Sequence, residues 1–142
     1  MPNQSSFTTS VPTGFATWLK EVNIALAFTT YRANRLLFLG TNAVEPAQLK
    51  LRERLFDRPM GLFVDGESLW MAARCQLWRL DNFLAPGQLH EGGDRLYVPA
   101  ACFTTGDVNA HEIVLGADGQ PIFVNTAFSC LATMAPLCSF AP

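Results

Sequence analysis

Charged residues are scarce in this sequence, and neither sign dominates. They make up 15% of the 142 residues, with 10 Lys and Arg against 12 Asp and Glu, so the formal net charge is −2. A protein that binds nucleic acid or an anionic membrane surface needs a concentrated positive field. This sequence builds no such field, so we expect neither a nucleic-acid partner nor a membrane partner.

Long apolar runs are absent as well. A transmembrane helix needs about 20 consecutive apolar residues, and no run in the sequence approaches that length. The first stretch, MPNQSSFTTSVPTG, has neither a basic start nor an apolar centre, so it has no signal-peptide pattern. We therefore expect a cytoplasmic protein, with a flexible N-terminus over residues 1–13 and a single domain over residues 14–142.

Cysteine spacing excludes the familiar metal and disulfide frameworks. The four cysteines are Cys75, Cys102, Cys130 and Cys138, and no two of them form a CxxC pair. Their spacings match neither a zinc motif nor a disulfide scaffold. With no export signal, we expect reduced, buried thiols and no metal site, and the sequence does not identify a cofactor.

What the sequence does contain is enough apolar residues for a core, 49% of the chain. The first apolar pattern is helical. Within GFATWLKEVN, the residues at helical spacing are Phe15, Trp18, Leu19 and Val22. Thr13 is a candidate N-cap for this helix. The sequence thus predicts one short N-terminal helix.

The rest of the chain follows the pattern of β-strands. NIALAFTTY and RLLFLGTN predict a hairpin that turns near Ala33 and Asn34, and QLKLRERLF alternates apolar and charged residues as a half-exposed strand does. Short apolar runs then predict strands near residues 61–64, 68–72 and 76–80, the first two joined by an Asp-Gly turn. RLYVPAACF predicts another strand, and three more lie within HEIVLGADGQPIFVNTAFSCLATM.

Two of these stretches resemble each other, GLFVDGESLWMAARCQLWRL and EIVLGADGQPIFVNTAFSCLATM. The alignment matches Leu62 with Ile113, Gly66 with Gly119, Trp70 with Phe123 and Leu77 with Leu131. A period near fifty residues with several strands per unit is typical of a β-propeller blade. We therefore predict an all-β fold, a partial propeller-like array of about two to three antiparallel blades after the short helix. The alternative is two generic β-meanders with a shared turn, in a smaller sandwich.

Several longer motifs resemble one known family. They are LAFTTYRANRLLFLG, FDRPMGLFVDGESLWMA, QLWRLDN, DRLYVPAACFTTGDVNAHEIV and FVNTAFSCLATM. They are similar to an uncharacterised bacterial family known as conserved hypothetical protein CHP03032 or DUF4915. The resemblance implies a β-propeller-like fold and no established activity. Because chains of that family are longer, the resemblance also implies an N-terminal fragment of a larger propeller.

The stretch TTGDVNAHEIVLG holds the first candidate site. Asp107 and His111 lie on a turn before a predicted strand, where side chains of a propeller can converge on the ring axis. A carboxylate and an imidazole can bind a metal or act as acid and base, although one segment does not supply the ligands that zinc requires. The alternative is a histidine that only satisfies hydrogen bonds at a strand start.

The stretch FDRPMGL occupies the same place in the first repeat. Arg58, or Met60 in the same stretch, is therefore predicted to project from the same end of a neighbouring blade as His111. An ion pair that only fixes a loop is the alternative for Asp57 and Arg58.

The candidate site residues divide into two sets. The catalytic candidates are His111, Asp107 and Arg58, and the ligand-binding candidates are Asp57, Arg58, Asn109, His111 and Asn125. Two functions fit them. The first is a propeller-like binding or scaffold module that recognises a protein, a peptide or a glycan. The second is part of an enzyme with a metal or acid/base site around His111 and Asp107. Open blade edges also predict self-association.

Overall fold

The computed structural model describes residues 10–45 and 48–142. The part of the chain that it describes is mostly β-strand, with one short α-helix near its start, as the sequence predicted. The predicted flexible N-terminus lies largely outside the described residues, since the description begins at residue 10. Among the described residues, no helix has both the length and the apolar character needed to cross a membrane.

In the described residues, ten strands form three antiparallel sheets, and every pairing joins strands that are consecutive in the chain. Sheet 1 consists of β1 (Leu26–Thr30), β2 (Arg35–Thr41) and β3 (Leu49–Leu55). Sheet 2 consists of β4 (Leu62–Asp65), β5 (Ser68–Ala73), β6 (Gln76–Asn82) and β7 (Tyr97–Thr104). Sheet 3 consists of β8 (Ala110–Leu115), β9 (Pro121–Asn125) and β10 (Cys130–Thr133), with a 3-10 turn (Thr126–Phe128) between its last two strands.

The predicted helix is α1 (Phe15–Glu21), and its first turn corrects one expectation. The N-cap is Gly14, not Thr13. The backbone at Gly14 is left-handed (φ 82°), a conformation that glycine adopts without strain, and no side chain caps the helix. The predicted apolar face is only partly buried. Leu19 is fully buried, whereas Trp18 and Val22 remain exposed, because α1 meets the fold mainly through its contact with β2.

Sheet 2 lies in the middle, and its strand β5 shows why. Successive side chains of a strand point to opposite faces, yet β5 is buried over all but its first residue. One face packs with Leu36 of sheet 1, through Leu69 and Met71. The other face, with Trp70 and Ala72, packs against sheet 3. Each fully buried Leu or Met contributes about 1.5–3 kcal/mol of transfer free energy.

The two apolar clusters are therefore interfaces between sheets. One cluster lies between sheets 2 and 3 and includes Val108 from the loop before β8. Its buried members are Trp70, Ala72, Leu77, Val108, Ala110, Ile113, Phe123 and Ala132. Those between sheets 1 and 2 are Leu36, Leu69, Met71 and Leu80. Sheets 1, 2 and 3 thus stack in chain order, with both faces of the middle sheet covered.

The repeat is present in the strand pairing, with one correction. Leu62 pairs with Met71, and Ile113 pairs with Phe123. The counterpart of Phe123 is therefore Met71, and the predicted match with Trp70 was wrong by one residue. The reason is the connection between the strands, which spans residues 66–67 in sheet 2 and residues 116–120 in sheet 3. Counting from the Asp-Gly turn therefore misplaces the strand that follows it.

The cysteines are free, as expected, but none of them is buried. Cys75 and Cys130 are half-buried, and Cys102 and Cys138 are exposed. The prediction of buried thiols was therefore wrong. Cys102 is exposed because it lies on β7, an edge strand of sheet 2. The side chains of β7 alternate between half-buried and exposed over much of its length.

Candidate functional site

The candidate site lies where the three sheets meet. β4 and β8 start side by side, so closely that a Cβ atom on Gly61 would stand 2.7 Å from the Cα of Glu112. β1 reaches the same place from its end, where the Thr29 hydroxyl donates a hydrogen bond of 2.6 Å to the carbonyl of Met60. One small area of the surface thus collects residues from sheets 1, 2 and 3.

The chain turns sharply on its way into both β4 and β8. Arg58 and Asn109 both adopt left-handed backbone conformations, with φ of 45° and 50°. They occupy equivalent positions, four residues before the matched pair Leu62 and Ile113. Asn tolerates this conformation better than most residues, whereas Arg does so less readily. At Arg58 the backbone N–H donates to the side-chain oxygen of Asn34 at 3.0 Å, which helps to hold the turn.

Between these turns lies an open cleft of about 520 Å³, which we call the three-sheet cleft. It is lined by Thr29, Tyr31, Pro59, Met60, Asn109, His111 and Glu112. Tyr31 keeps 44% of its surface exposed. Within the described residues, the side chains of Asn109, His111 and Glu112 form no hydrogen bond or ion pair. Their polar atoms are thus free to bind a ligand.

Ion pairs form one rim of the three-sheet cleft. The carboxylate of Asp107 accepts hydrogen bonds from Arg74 Nε at 3.0 Å and from Arg58 Nη2 at 3.4 Å. Arg74 also lies 3.7 Å from the carboxylate of Asp57. Arg58 Nη1 donates to the Tyr31 hydroxyl at 3.2 Å, and its guanidinium carbon lies 5.9 Å from the centre of that ring. Arg58 therefore connects the acidic rim to the aromatic wall.

The electrostatics of this rim fix the charge of Asp107. The hydrogen bond from Arg74 is the main cause that lowers the pKa of Asp107, and the charges of Arg58 and Arg74 lower it further. The same hydrogen bond raises the pKa of Arg74. A carboxylate held in this way is a weak base, and within the described chain no hydrogen bond joins it to His111. The geometry therefore does not form the acid/base pair that the sequence suggested.

A scan against protein-family models matches residues 13–142 to a domain of unknown function (DUF4915). The chain belongs to the DUF4915 family. A comparison with curated proteins finds no match. The description of the DUF4915 family names no reaction and no ligand.

The structure of the DUF4915 chain brings most of the sequence candidates together. His111 and Asn109 line the three-sheet cleft, and Arg58, Asp57 and Asp107 belong to the ion pairs at its rim. Their proximity follows from the repeat, because equivalent positions in stacked sheets lie at the same end. The separation of Asp107 and Arg58 along the sequence does not by itself predict that they lie close together.

Asn125 lies elsewhere. It is fully buried, and its side-chain oxygen accepts a hydrogen bond of 3.1 Å from the backbone N–H of Phe128. It therefore caps the 3-10 turn that follows β9. A second pocket, of about 390 Å³, lies beside this turn and includes Asn125 in its lining. Asn125 is thus not part of the three-sheet cleft.

One residue of this region carried too little signal in the sequence. Arg74 follows β5 directly, and its main partner, Asp107, is 33 positions away in the sequence. Among residues 10–45 and 48–142, no three His, Cys, Asp or Glu side chains lie close enough together to hold a metal ion.

Proposed function

We propose that this chain is part of a propeller-type binding module, and that the three-sheet cleft recognises a polar group of a peptide or a glycan. One observation carries this proposal. Three polar side chains from one segment, Asn109, His111 and Glu112, are without partners in the described structure and line the cleft together with Tyr31. Polar side chains that line a cleft without internal partners are free to fix a ligand's orientation.

The stacking of the sheets supports the propeller part of the proposal. In a propeller, antiparallel sheets pack face to face around an axis, and the first strand of each sheet lies nearest that axis. Here the three sheets stack in chain order, and the first strands β4 and β8 contact each other. The close approach of Gly61 and Glu112 is what two neighbouring inner strands require.

The chemistry of the lining supports a polar ligand. Asn109 offers both donors and an acceptor, His111 offers a donor and an acceptor when neutral, and Glu112 offers acceptors. Tyr31 and Met60 add apolar surface beside these groups. The volume of about 520 Å³ lies within the range of known small-ligand sites. Such a lining suits a hydroxyl- or amide-bearing group better than an apolar one.

Recognition is a better fit than acid/base catalysis. A general base has to take up a proton near the working pH, whereas Asp107 is paired with two arginines and its pKa is lowered. The same two arginines are neutralised by Asp107 and Asp57, so the rim presents no free excess of positive charge.

The two histidines of the chain allow a direct test. His111 lines the three-sheet cleft, and His90 is an exposed residue of the loop between β6 and β7. Peptide and glycan arrays are screened with the full chain, and bound probes are titrated while the two imidazole NMR signals are followed. We expect the His111 signal to shift and the His90 signal to stay in place.

Matched substitutions complete the test. His111→Ala and Glu112→Gln are expected to weaken binding of the array hit at least about tenfold, or 1.4 kcal/mol, and His90→Ala to leave it unchanged. A probe that binds both cleft variants as tightly as the wild type would refute the cleft as the binding site.

A further inference from the structure

The lining of the three-sheet cleft carries one uncompensated charge, that of Glu112. This residue is exposed, and its carboxylate forms no hydrogen bond or ion pair with any other described residue. The other six residues of the lining carry no formal charge at pH 7, with histidine counted as neutral. The lining as a whole is therefore negative.

The ion pairs at the rim do not neutralise Glu112. Arg58 and Arg74 lie 3.4 Å and 3.0 Å from the carboxylate of Asp107, and Arg74 lies 3.7 Å from that of Asp57. Two positive and two negative groups thus form one neutral cluster. Because their Coulomb contributions at the cleft have opposite signs and largely cancel, the charge of Glu112 remains.

This charge selects among ligands by their own charge. A ligand that fills the cleft displaces water from the Glu112 carboxylate, which costs free energy unless the ligand supplies a partner. An anionic group meets a like charge there. A cationic group forms a charge-assisted hydrogen bond with the carboxylate, which is about twice as strong as a hydrogen bond between neutral groups. The cleft therefore favours a cation over a neutral or an anionic group.

The rest of the lining favours an organic cation over a metal ion. Nowhere in residues 10–45 and 48–142 do three His, Cys, Asp or Glu side chains come together as a metal site requires. Lysine and arginine side chains instead combine a charged end with an apolar stem. Met60 is partly exposed in the lining, and Tyr31 remains 44% exposed although Arg58 lies 5.9 Å from its ring centre. These two side chains offer the stem an apolar surface beside Glu112.

We propose that the group recognised in the three-sheet cleft is the cationic side chain of a peptide, a lysine or an arginine, with its charged end paired to Glu112. The proposal rests on the proposed function, because it names the chemistry of the ligand in the same cleft. The side-chain oxygen of Asn109 supplies a neutral acceptor for a further N–H of the cation. An amino sugar fits less well, because its ammonium group is attached directly to a polar ring and has no apolar stem.

Four short peptides with blocked ends test this proposal. Each has glycines around one central residue, which is lysine, arginine, Nε-acetyl-lysine or glutamate. They are titrated into the full chain while the imidazole NMR signals of His111 and His90 are followed. We expect the lysine and arginine peptides to shift the His111 signal and to bind at least about tenfold more tightly than the acetyl-lysine peptide. The glutamate peptide should leave both signals in place.

A charge-removing substitution identifies the partner of the cation. Glu112→Gln keeps the size of the side chain, and it should weaken the lysine peptide at least about tenfold without changing the affinity of the acetyl-lysine peptide. Glu21→Gln is the matched control. Glu21 is an exposed carboxylate at the end of α1, has no side-chain partner among the described residues and does not line the cleft. It should leave all affinities unchanged, and circular dichroism establishes that both variants are folded.

The outcomes separate this proposal from the proposed function. Lysine and acetyl-lysine peptides of equal affinity, or no His111 shift with either cationic peptide, would overturn the cationic ligand. A glucosamine oligosaccharide that binds the cleft where the lysine peptide does not would overturn the assignment to a peptide. An array hit that His111→Ala weakens and Glu112→Gln does not would also overturn the pairing with Glu112, yet it would leave the cleft as a binding site. Hits that neither substitution weakens would remove the proposed function as well.

Discussion

The substitution Gly61→Ala tests the close backbone approach between β4 and β8. An added Cβ would lie 2.7 Å from the Cα of Glu112, 2.9 Å from its carbonyl carbon and 2.9 Å from the carbonyl oxygen of His111. Favourable carbon–carbon contacts lie at about 3.5–4.0 Å, so the Cβ would be about 1 Å too close. All three atoms belong to the backbone, so the two strands have to separate.

The expected cost follows from two opposing effects. Overpacking of this kind typically costs about 1–3 kcal/mol. Replacing Gly by Ala also restricts the unfolded chain, which stabilises the fold by about 0.4–1 kcal/mol where the backbone conformation permits. The net loss expected for Gly61→Ala is therefore about 1–2 kcal/mol. The control is Gly93→Ala, because a Cβ at Gly93 would meet its nearest atom, the carbonyl oxygen of His90, at an ordinary 3.5 Å.

Urea unfolding of the two variants and the wild type measures this difference. The midpoint should fall for Gly61→Ala and stay level or rise for Gly93→Ala. Because Gly61 supports one side of the three-sheet cleft, its substitution should also weaken the binding of any cleft ligand. A Gly61→Ala chain as stable as the wild type would mean that β4 and β8 do not approach each other this closely.

Three further results are expected. Met71→Ala should cost about 2–5 kcal/mol in urea unfolding, because Met71 is fully buried between sheets 1 and 2, and a cost below about 1 kcal/mol would contradict that packing. Asp107→Asn should lower the melting temperature near neutral pH. The Arg74 hydrogen bond lowers the pKa of Asp107 in the folded protein. The stabilisation by ionised Asp107 is therefore fully present above the ordinary carboxyl pKa and is lost as pH falls through the lowered pKa. The difference in melting temperature between Asp107→Asn and the wild type should thus vanish in acid. A difference that persisted in acid would contradict the ionic origin. Cys102 and Cys138 are both exposed, but neighbouring groups partly desolvate the Cys102 thiol and so raise its pKa. In thiol titration with a disulfide reagent, Cys138 should therefore react before Cys102, and the reverse order would contradict this.

The sequence predicts the strands well because the signals for them are local. The turn at Gly66 needs a positive φ, which is 56° in the structure, and glycine adopts it without strain. Alternation along β3 and the helical spacing within α1 are equally local. The sequence did not predict on which face of its sheet each strand side chain lies. Trp70 and Phe123 look equivalent by residue type, yet they project toward each other's sheets across one interface.

The candidate site shows the same division. The repeat predicted that Met60 and His111 would share one end of neighbouring sheets, and both line the three-sheet cleft. The repeat carries this information because stacking preserves position from one sheet to the next. The pairing of Asp107 with Arg74 was not predictable, since it depends on how β5 ends relative to a turn 33 residues later. Asn125, another ligand-binding candidate, lies outside the three-sheet cleft, where its side-chain oxygen accepts a hydrogen bond from the backbone of its own turn.

The pairing of consecutive strands also bears on how the chain folds. Every strand in the described sheets pairs with a neighbour in sequence, so each sheet forms through local loop closures, the longest of them over residues 83–96 in sheet 2. Both faces of sheet 2, however, are buried in the folded chain. They become buried only after the segments that precede and follow sheet 2 in the sequence have formed their own sheets. Sheets 1 and 3 each complete one of those faces. Folding of the middle sheet is thus expected to couple the two ends of the chain, and its amide protons should be the last to exchange with solvent.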